Sequence, residues 1–138
     1  MKRGYYVDTS IWMDLLEGRI GYRGEKLGDY ALRFFAFLKS TKRRLVVSDL
    51  LVFELKRNYS SENIIGFFLP YQDIIKRVFF SQKEYSEAKK LAKERNLPLG
   101  DALHSILARD HQLILVTRDK HFILLRDVCS SYKPEEII

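Results

Sequence analysis

The chain has 138 residues, the size of one compact domain, which leaves little room for a second. Its 46% apolar and 13% aromatic residues suffice for a buried core and exclude a disordered chain, even though 30% of the residues are charged. The 24 Lys and Arg residues outnumber the 18 Asp and Glu residues, and the resulting formal net charge of +6 favours polyanionic partners without identifying one.

The cysteine content and the apolar runs exclude several further classes. A single cysteine, Cys129, rules out an intramolecular disulfide and any zinc site built on cysteine pairs, and it fits a reducing cytoplasm. The longest apolar runs, such as residues 113–116, are far shorter than the about 20 residues that a membrane helix needs. Asp8 lies where the apolar part of a signal peptide should continue. We therefore expect a cytoplasmic protein without a membrane anchor.

The first half of the chain predicts two strands and four helices. Apolar residues at three- and four-residue spacing indicate the helices, and β-branched or aromatic triplets indicate the strands. The loop at residues 18–28 contains four glycines and is expected to be exposed. The strands are expected at residues 5–7 and 45–47, and the helices at residues 11–18, from a cap at Asp29, from a cap at Ser48 or Asp49, and from Ser60 or Ser61 to Phe68.

The second half continues the alternation of strands and helices. Residues 81–84 read Ser-Gln-Lys-Glu, a capping box ahead of a helix that ends near Asn96, and residues 97–100 predict a turn. The uninterrupted apolar run at residues 113–116 is typical of a central parallel strand. The other expected elements are strands at residues 74–80 and 128–130, a helix at residues 101–110, a short helical segment from Thr117, and a tail at Pro134-Glu135-Glu136.

This alternation predicts an α/β sandwich with a mostly parallel sheet. Folds of this class bind their ligands at the carboxyl ends of the strands. Four acidic residues lie at predicted strand ends or on the helices beside them, and we expect them to share one edge of the sheet: Asp8, Glu54, Asp101 and Asp119.

Four carboxylates in one pocket would repel one another and raise one another's pKa unless a cation lies between them. Such a cluster is typical of a divalent metal site, and oxygen ligands favour Mg²⁺ or Mn²⁺ over zinc. Taken singly, each acid also has an ordinary structural explanation, either at a helix N-terminus or, for Glu54, as a solvated side chain. Their joint placement is what favours the metal site.

The segments around these acids resemble the PIN-domain family, and most closely its VapC-like toxin ribonucleases. The resemblance covers nearly the whole chain and implies a three-layer α/β/α fold, with a single PIN domain over residues 1–138. It also implies that Asp8, Glu54, Asp101 and Asp119 hold Mg²⁺ or Mn²⁺ for RNA phosphodiester cleavage, supported by Ser10 and Thr117. The matching pieces are Val7-Asp8-Thr9-Ser10-Ile11-Trp12, Glu54-Leu55, Asp101-Ala102-Leu103-His104 and Val116-Thr117-Arg118-Asp119-Lys120-His121-Phe122.

The resemblance implies an endoribonuclease toxin, with RNA as substrate, an antitoxin protein as partner and a homodimer as assembly. There are two alternatives: a housekeeping PIN nuclease in RNA maturation, and a catalytically silent PIN module that binds RNA or protein. The presence of all four acids counts against the silent module. A haloacid-dehalogenase-like phosphatase also begins with a strand and an aspartate, but its chemistry needs a second aspartate where Ser10 stands. His121 occupies a position where many relatives carry an aspartate.

Basic residues beside the acids are candidates for RNA phosphate contacts. Two of them flank Asp119 and two follow Glu54 in the sequence: Arg118, Lys120, Lys56 and Arg57.

Several further residues have both a structural and a functional interpretation. His104 lies one helical turn after Asp101 and points the same way, and packing beneath the site is favoured over a role as ligand or proton shuttle. Tyr5, Tyr6 and Trp12 are expected in the core rather than stacked on bases.

Overall fold

A computed structural model describes residues 3–138. Five parallel strands form one sheet: β1 (Tyr5–Val7), β2 (Leu45–Ser48), β3 (Ile75–Val78), β4 (Ile114–Val116) and β5 (Ser131–Tyr132). Their order across the sheet is β3-β2-β1-β4-β5, so β1 lies at the centre, and Tyr6 pairs with Val46 on one side and with Leu115 on the other. The apolar run that predicted a central strand is β4.

Helices cover both faces of the sheet, which gives the three-layer α/β/α fold that the resemblance implies. The helices are α1 (Thr9–Glu17), α2 (Leu27–Ser40), α3 (Asp49–Leu55), α4 (Ser61–Phe68), α5 (Gln82–Arg95), α6 (Leu99–Asp110) and α7 (Pro134–Ile137), with 3₁₀ helices at Leu69–Tyr71 and Lys120–Leu125. One buried cluster lies between the sheet and α1, α2 and α4, and a second lies between the sheet and α5 and α6.

Alternating side chains of β1 supply both clusters, because successive residues of a strand face opposite sides of the sheet. Tyr5 and Val7 belong to the cluster under α1 and α2, whereas Tyr6 belongs to the cluster under α5 and α6. Trp12 is fully buried and packs against Phe35. The prediction that Tyr5, Tyr6 and Trp12 are core residues is therefore confirmed.

Side chains at several helix starts accept hydrogen bonds from free backbone N–H groups, which is why these helices begin where they do. Ser48 caps α3 and Ser60 caps α4. Ser81 and Glu84 form the predicted capping box, and α5 ends at Asn96 in the left-handed conformation. These local signals were all readable in the sequence.

Several predicted boundaries were wrong. The helix expected at residues 101–110 begins at Leu99, inside the turn expected at residues 97–100. Asp29 does not cap α2, since the helix begins at Leu27, where the first turn packs against the end of α1. A Cβ on Gly28 would lie 2.8 Å from Cα of Gly18, so only glycine allows this approach. The strand expected at residues 128–130 is instead β5, because the N–H groups of Val128 and Cys129 bond to the carbonyl of Leu125 and prolong the preceding turn.

The C-terminal tail is also ordered: it forms α7, with Pro134 in its first turn, and packs near α2. Among the helices of residues 3–138, none combines the length and the apolar character that crossing a bilayer requires.

Candidate functional site

The four acids lie at the carboxyl edge of the three central strands. Asp8 follows β1 and Asp119 follows β4, while Glu54 lies in the last turn of α3, the helix that leaves β2. Asp101 lies in the first turn of α6. Because β1 lies between β2 and β4, these segments meet above its end, as the sequence predicted.

Asp8 is the most buried of the four acids, with 5% of its surface exposed. Its Oδ1 accepts a hydrogen bond from the Thr9 N–H at 2.7 Å, and its Oδ2 accepts from Ser10 Oγ at 3.0 Å and Thr117 Oγ1 at 2.8 Å. Burial raises the pKa of Asp8, although the charge of His104 and these hydroxyls oppose the rise. Ser10 and Thr117 therefore orient the Asp8 carboxylate, while Asp8 also caps α1.

Glu54 is held through one of its two oxygens. Its Oε1 accepts from Thr9 Oγ1 at 2.5 Å and faces His104 Nε2 at 2.7 Å. Burial opposes ionisation, but the hydrogen bonds from His104 and Thr9 and the His104 charge lower the pKa of Glu54. Oε2 lies against the start of α6, where a Cβ on Gly100 would come within 2.8 Å of it. Glycine at this position therefore lets the carboxylate lie over the helix.

His104 is fully buried and connects the acidic centre to the core. Its Nδ1 lies 2.6 Å from the hydroxyl of Tyr6, which in turn lies 2.5 Å from Ser48 Oγ. Burial disfavours the imidazolium, but the hydrogen bond to Glu54 and the charges of Glu54 and Asp8 outweigh burial and raise the pKa of His104. With both ring nitrogens engaged, His104 serves as an internal counter-charge to the acids rather than as packing alone.

Asp101 and Asp119 meet across His121. Nδ1 of His121 lies 2.8 Å from Asp101 Oδ2 and 3.0 Å from Asp119 Oδ1. The 2.8 Å approach lacks hydrogen-bond geometry, and the buried Asp101 Oδ2 has no hydrogen-bond partner. Burial, followed by the charges of Asp119 and Asp8, raises the pKa of Asp101 to about 6.

The structure groups the acids into two neighbouring sets rather than one. Asp8 and Glu54 lie around His104, and Asp101 and Asp119 lie around His121, with the potential ligand atoms of each set within 4.8 Å of one another. Asp101 lies close enough to the first set for the charge of Asp8 to raise its pKa. All four acids therefore contribute to one negative region, although each set also contains its own histidine.

The predicted RNA contacts differ in their surroundings. Arg118 is only partly exposed, donates both terminal nitrogens to Glu135 at 2.8 and 2.6 Å, and lies 3.3 Å from Asp14, so its charge is already matched. Lys120 is exposed beside Asp119. Two further cations, Lys56 and Arg57, are exposed at the end of α3, and the Arg57 guanidinium lies over the Phe53 ring.

Sequence reasoning missed the roles of four polar side chains near the acids. Thr9 binds Glu54 across 45 residues, and the Tyr6 hydroxyl binds both Ser48 and His104. His121 bridges two acids where an aspartate was expected in relatives. Only Thr9 carried a local signal, since it lies between Asp8 and Ser10 in the Asp-Thr-Ser segment.

We expect the metal-free protein to lose thermal stability as the pH rises from 5 to 8. Asp101 and His104 have raised folded pKa values, so the stability that their protons contribute is present at low pH and is lost as the pH rises through those values. Glu54, whose pKa is lowered, acts in the opposite direction only at more acidic pH. Calorimetry in EDTA across this range measures the effect, and a melting temperature that is flat or rising would contradict it.

The sequence matches the PIN domain family over residues 5–127. Comparison with curated protein sequences gives no significant match.

Solved structures share the fold. One is the structure of VapBC2 from Rickettsia felis bound to a DNA fragment from its promoter, with 16% identity, 94% of this chain and 97% of that chain covered, and a TM-score of 0.66. A toxin-antitoxin complex from Klebsiella pneumoniae has 21% identity, with 95% of this chain and 98% of that chain covered and a TM-score of 0.67. The structure of FitAcB from Neisseria gonorrhoeae has 16% identity, with 95% of this chain and 98% of that chain covered and a TM-score of 0.64. At these identities the likeness shows the fold alone.

Proposed function

The chain belongs to the PIN-domain family, and from that premise we propose that it is a Mg²⁺- or Mn²⁺-dependent endoribonuclease that hydrolyses RNA phosphodiester bonds. PIN domains are generally nucleases. The observation that carries the proposal is that two neighbouring sets of acids, Asp8 with Glu54 and Asp101 with Asp119, lie at one edge of the sheet, with the pKa of Asp101 raised to about 6.

The residues present fit a divalent cation. All four acids offer carboxylate oxygens, which Mg²⁺ and Mn²⁺ prefer. The buried Asp101 Oδ2 has no hydrogen-bond partner, and such an atom is costly unless a cation or donor satisfies it. A cation there would also relieve the repulsion that raises the pKa of Asp101.

Asp8 and Asp101 are the proposed direct ligands, and Glu54 and Asp119 complete the site or act through water. When bound, the cation would lower the pKa of a coordinated water and offset the phosphate charge. Ser10 and Thr117 keep Asp8 in one orientation, and Thr9 and His104 hold Oε1 of Glu54 while its Oε2 lies against the start of α6. This preorganisation means that the carboxylates need little rearrangement when a cation or phosphate arrives.

Basic residues around the acids would attract the RNA backbone. Lys120, Lys56 and Arg57 are exposed, whereas Arg118 would have to share its guanidinium with Glu135. Exposed cations gain more from phosphate contacts, because they displace only solvent and counterions. We therefore propose a structural role for Arg118, which could contact RNA only by giving up its ion pairs.

The nuclease proposal is tested by incubating the purified protein with single-stranded and structured RNAs in Mn²⁺ or in EDTA. We expect cleavage in Mn²⁺ only, and Asp8→Asn should lower the rate at least about 100-fold, because it removes a charge that holds the cation. Asp73→Asn, in the exposed turn before β3, is the matched control. RNA left uncut by the wild type, or cut equally by Asp8→Asn, would overturn the proposal.

We assign the chain further to the toxin half of a toxin-antitoxin pair. The support is the likeness to solved toxin-antitoxin complexes. Expression should arrest growth, and a small adjacent reading frame encoding the antitoxin should relieve the arrest. Growth unaffected by the wild-type protein would favour the housekeeping role instead.

A homodimer and a cytoplasmic location complete the proposal. A groove between α3, α5 and α6 is lined by Phe53, Phe80 and Tyr85, and Phe53 is 62% exposed. An apolar surface of this kind is typical of a protein interface, and here a second copy is the proposed occupant. Sedimentation equilibrium of the wild type, compared with that of Phe53→Glu, measures whether the dimer forms through this groove.

A further inference from the structure

A second concave surface adjoins the acidic centre. A cleft of about 300 Å³ opens at the carboxyl ends of β4 and β5, and it shares Thr117 and Asp119 with the acidic centre. Its other lining residues include Lys120, Arg126, Tyr132 and Lys133. An RNA strand that passes over Asp119 would therefore enter this cleft directly.

The cleft carries three exposed cations that are free of ion pairs within residues 3–138: Lys120, Arg126 and Lys133. Arg118 also lines the cleft, but Glu135 neutralises it. The lining acids are Asp119, which belongs to the acidic centre, and Glu136, whose Oε1 accepts a hydrogen bond from the Lys133 N–H. Besides the Arg118–Glu135 pair, the three cations face only the two lining carboxylates, so the cleft has a small net positive charge, which complements a phosphate backbone.

An aromatic side chain lies among these cations. Tyr132 is 43% exposed, and its backbone is held in place because its carbonyl accepts a hydrogen bond from the N–H of Thr117 at 2.9 Å. Thr117 in turn donates to Asp8, so the Tyr132 backbone is one residue removed from the acidic centre. An exposed ring beside cations is typical of surfaces on which single-stranded nucleic acid stacks its bases.

We propose that this cleft binds the single-stranded RNA that flanks the bond to be cleaved. Lys120, Arg126 and Lys133 contact successive phosphates, and one base stacks on Tyr132. The inference rests on the proposed nuclease function, since that function is what places an RNA strand across Asp119.

The test measures binding of a fluorescent ten-nucleotide RNA in EDTA, where no cleavage occurs. Replacing Lys120, Arg126 and Lys133 together by Gln should weaken binding at least about tenfold and reduce the slope of log K against log salt by about 2. Tyr132→Leu should weaken binding severalfold without changing that slope, because stacking releases no counterions.

The matched control replaces three cations at the opposite end of the sheet by Gln, and it should bind RNA nearly as the wild type does: Lys42, Arg44 and Lys76. Melting temperatures verify that each variant is folded. If the cleft variant binds RNA with wild-type affinity, or if the control variant loses as much affinity, the proposal that this cleft binds RNA is overturned. A wild-type protein that binds RNA through the cleft but does not cut it in Mn²⁺ overturns the nuclease function and leaves the cleft assignment standing.

Discussion

Asp101→Asn is expected to stabilise the metal-free protein while abolishing its metal-dependent cleavage of RNA. At neutral pH the Asp101 carboxylate is ionised although burial and the charges of Asp119 and Asp8 raise its pKa to about 6. A rise from 3.8 to about 6 corresponds to about 3 kcal/mol of stability lost on ionisation. Removing the charge recovers most of that free energy, and it also removes a proposed cation ligand.

Urea unfolding in EDTA at pH 7.5 measures the gain, which should shrink towards pH 5, where wild-type Asp101 is protonated. Adding Mn²⁺ should raise the melting temperature of the wild type and leave that of Asp101→Asn nearly unchanged, because ligand binding stabilises only the state that binds. Asp73→Asn controls for the loss of one negative charge from a basic protein. A variant that is less stable than the wild type, or that still responds to Mn²⁺, would contradict the explanation.

This trade-off follows from the way the site is built. Four carboxylates gathered at one strand edge lower the stability of the chain until something positive joins them, and functional sites commonly carry such a cost. His104 offsets part of the repulsion from within the chain, since its imidazole lies 2.7 Å from Glu54 Oε1 and 3.9 Å from Asp8 Oδ1. The remaining imbalance, visible at Asp101, is what a divalent cation would relieve.

The sequence predicted where the four acids lie more fully than it predicted the hydrogen bonds that hold them. Asp8, Glu54, Asp101 and Asp119 were placed together because each lies at a strand end or on the next helix, and parallel strands bring these ends to one edge. This placement of the acids depends only on the order of the elements. It is insensitive to boundary errors such as the shift of β5 by a few residues.

The hydrogen bonds between the site and the core were beyond the sequence argument. Tyr6 and His104 are separated by 98 residues, and they meet only because α6 lies over the central strand. Nothing local distinguishes Tyr6 from Tyr5, although one hydroxyl is buried in a network and the other residue packs against Phe34. The ion pair of Arg118 could not be predicted either, because its partner Glu135 lies in the tail that forms α7.

His104→Leu is expected to destabilise the protein by about 3 kcal/mol and to reduce RNA cleavage, despite the similar size of the side chain. The substitution leaves Glu54 Oε1 with only Thr9 as a donor, leaves the Tyr6 hydroxyl with only Ser48, and removes the positive charge that faces Asp8. Breaking a buried ion pair from one side costs this much because the remaining charge stays buried.

His104→Gln separates positioning from packing, since its amide can still donate to Glu54. We expect it to recover part of the activity that His104→Leu loses. Tyr6→Phe should cost about 2 kcal/mol, because it removes two buried hydrogen bonds and leaves His104 Nδ1 without a partner. Ser105→Ala, buried on the same helix, is the control because Ser105 bonds to none of the four acids. Urea unfolding and RNA cleavage rates measure all four variants. If His104→Leu matched the wild type in both, His104 would be packing alone, and Glu54 would be held by Thr9 without an internal counter-charge.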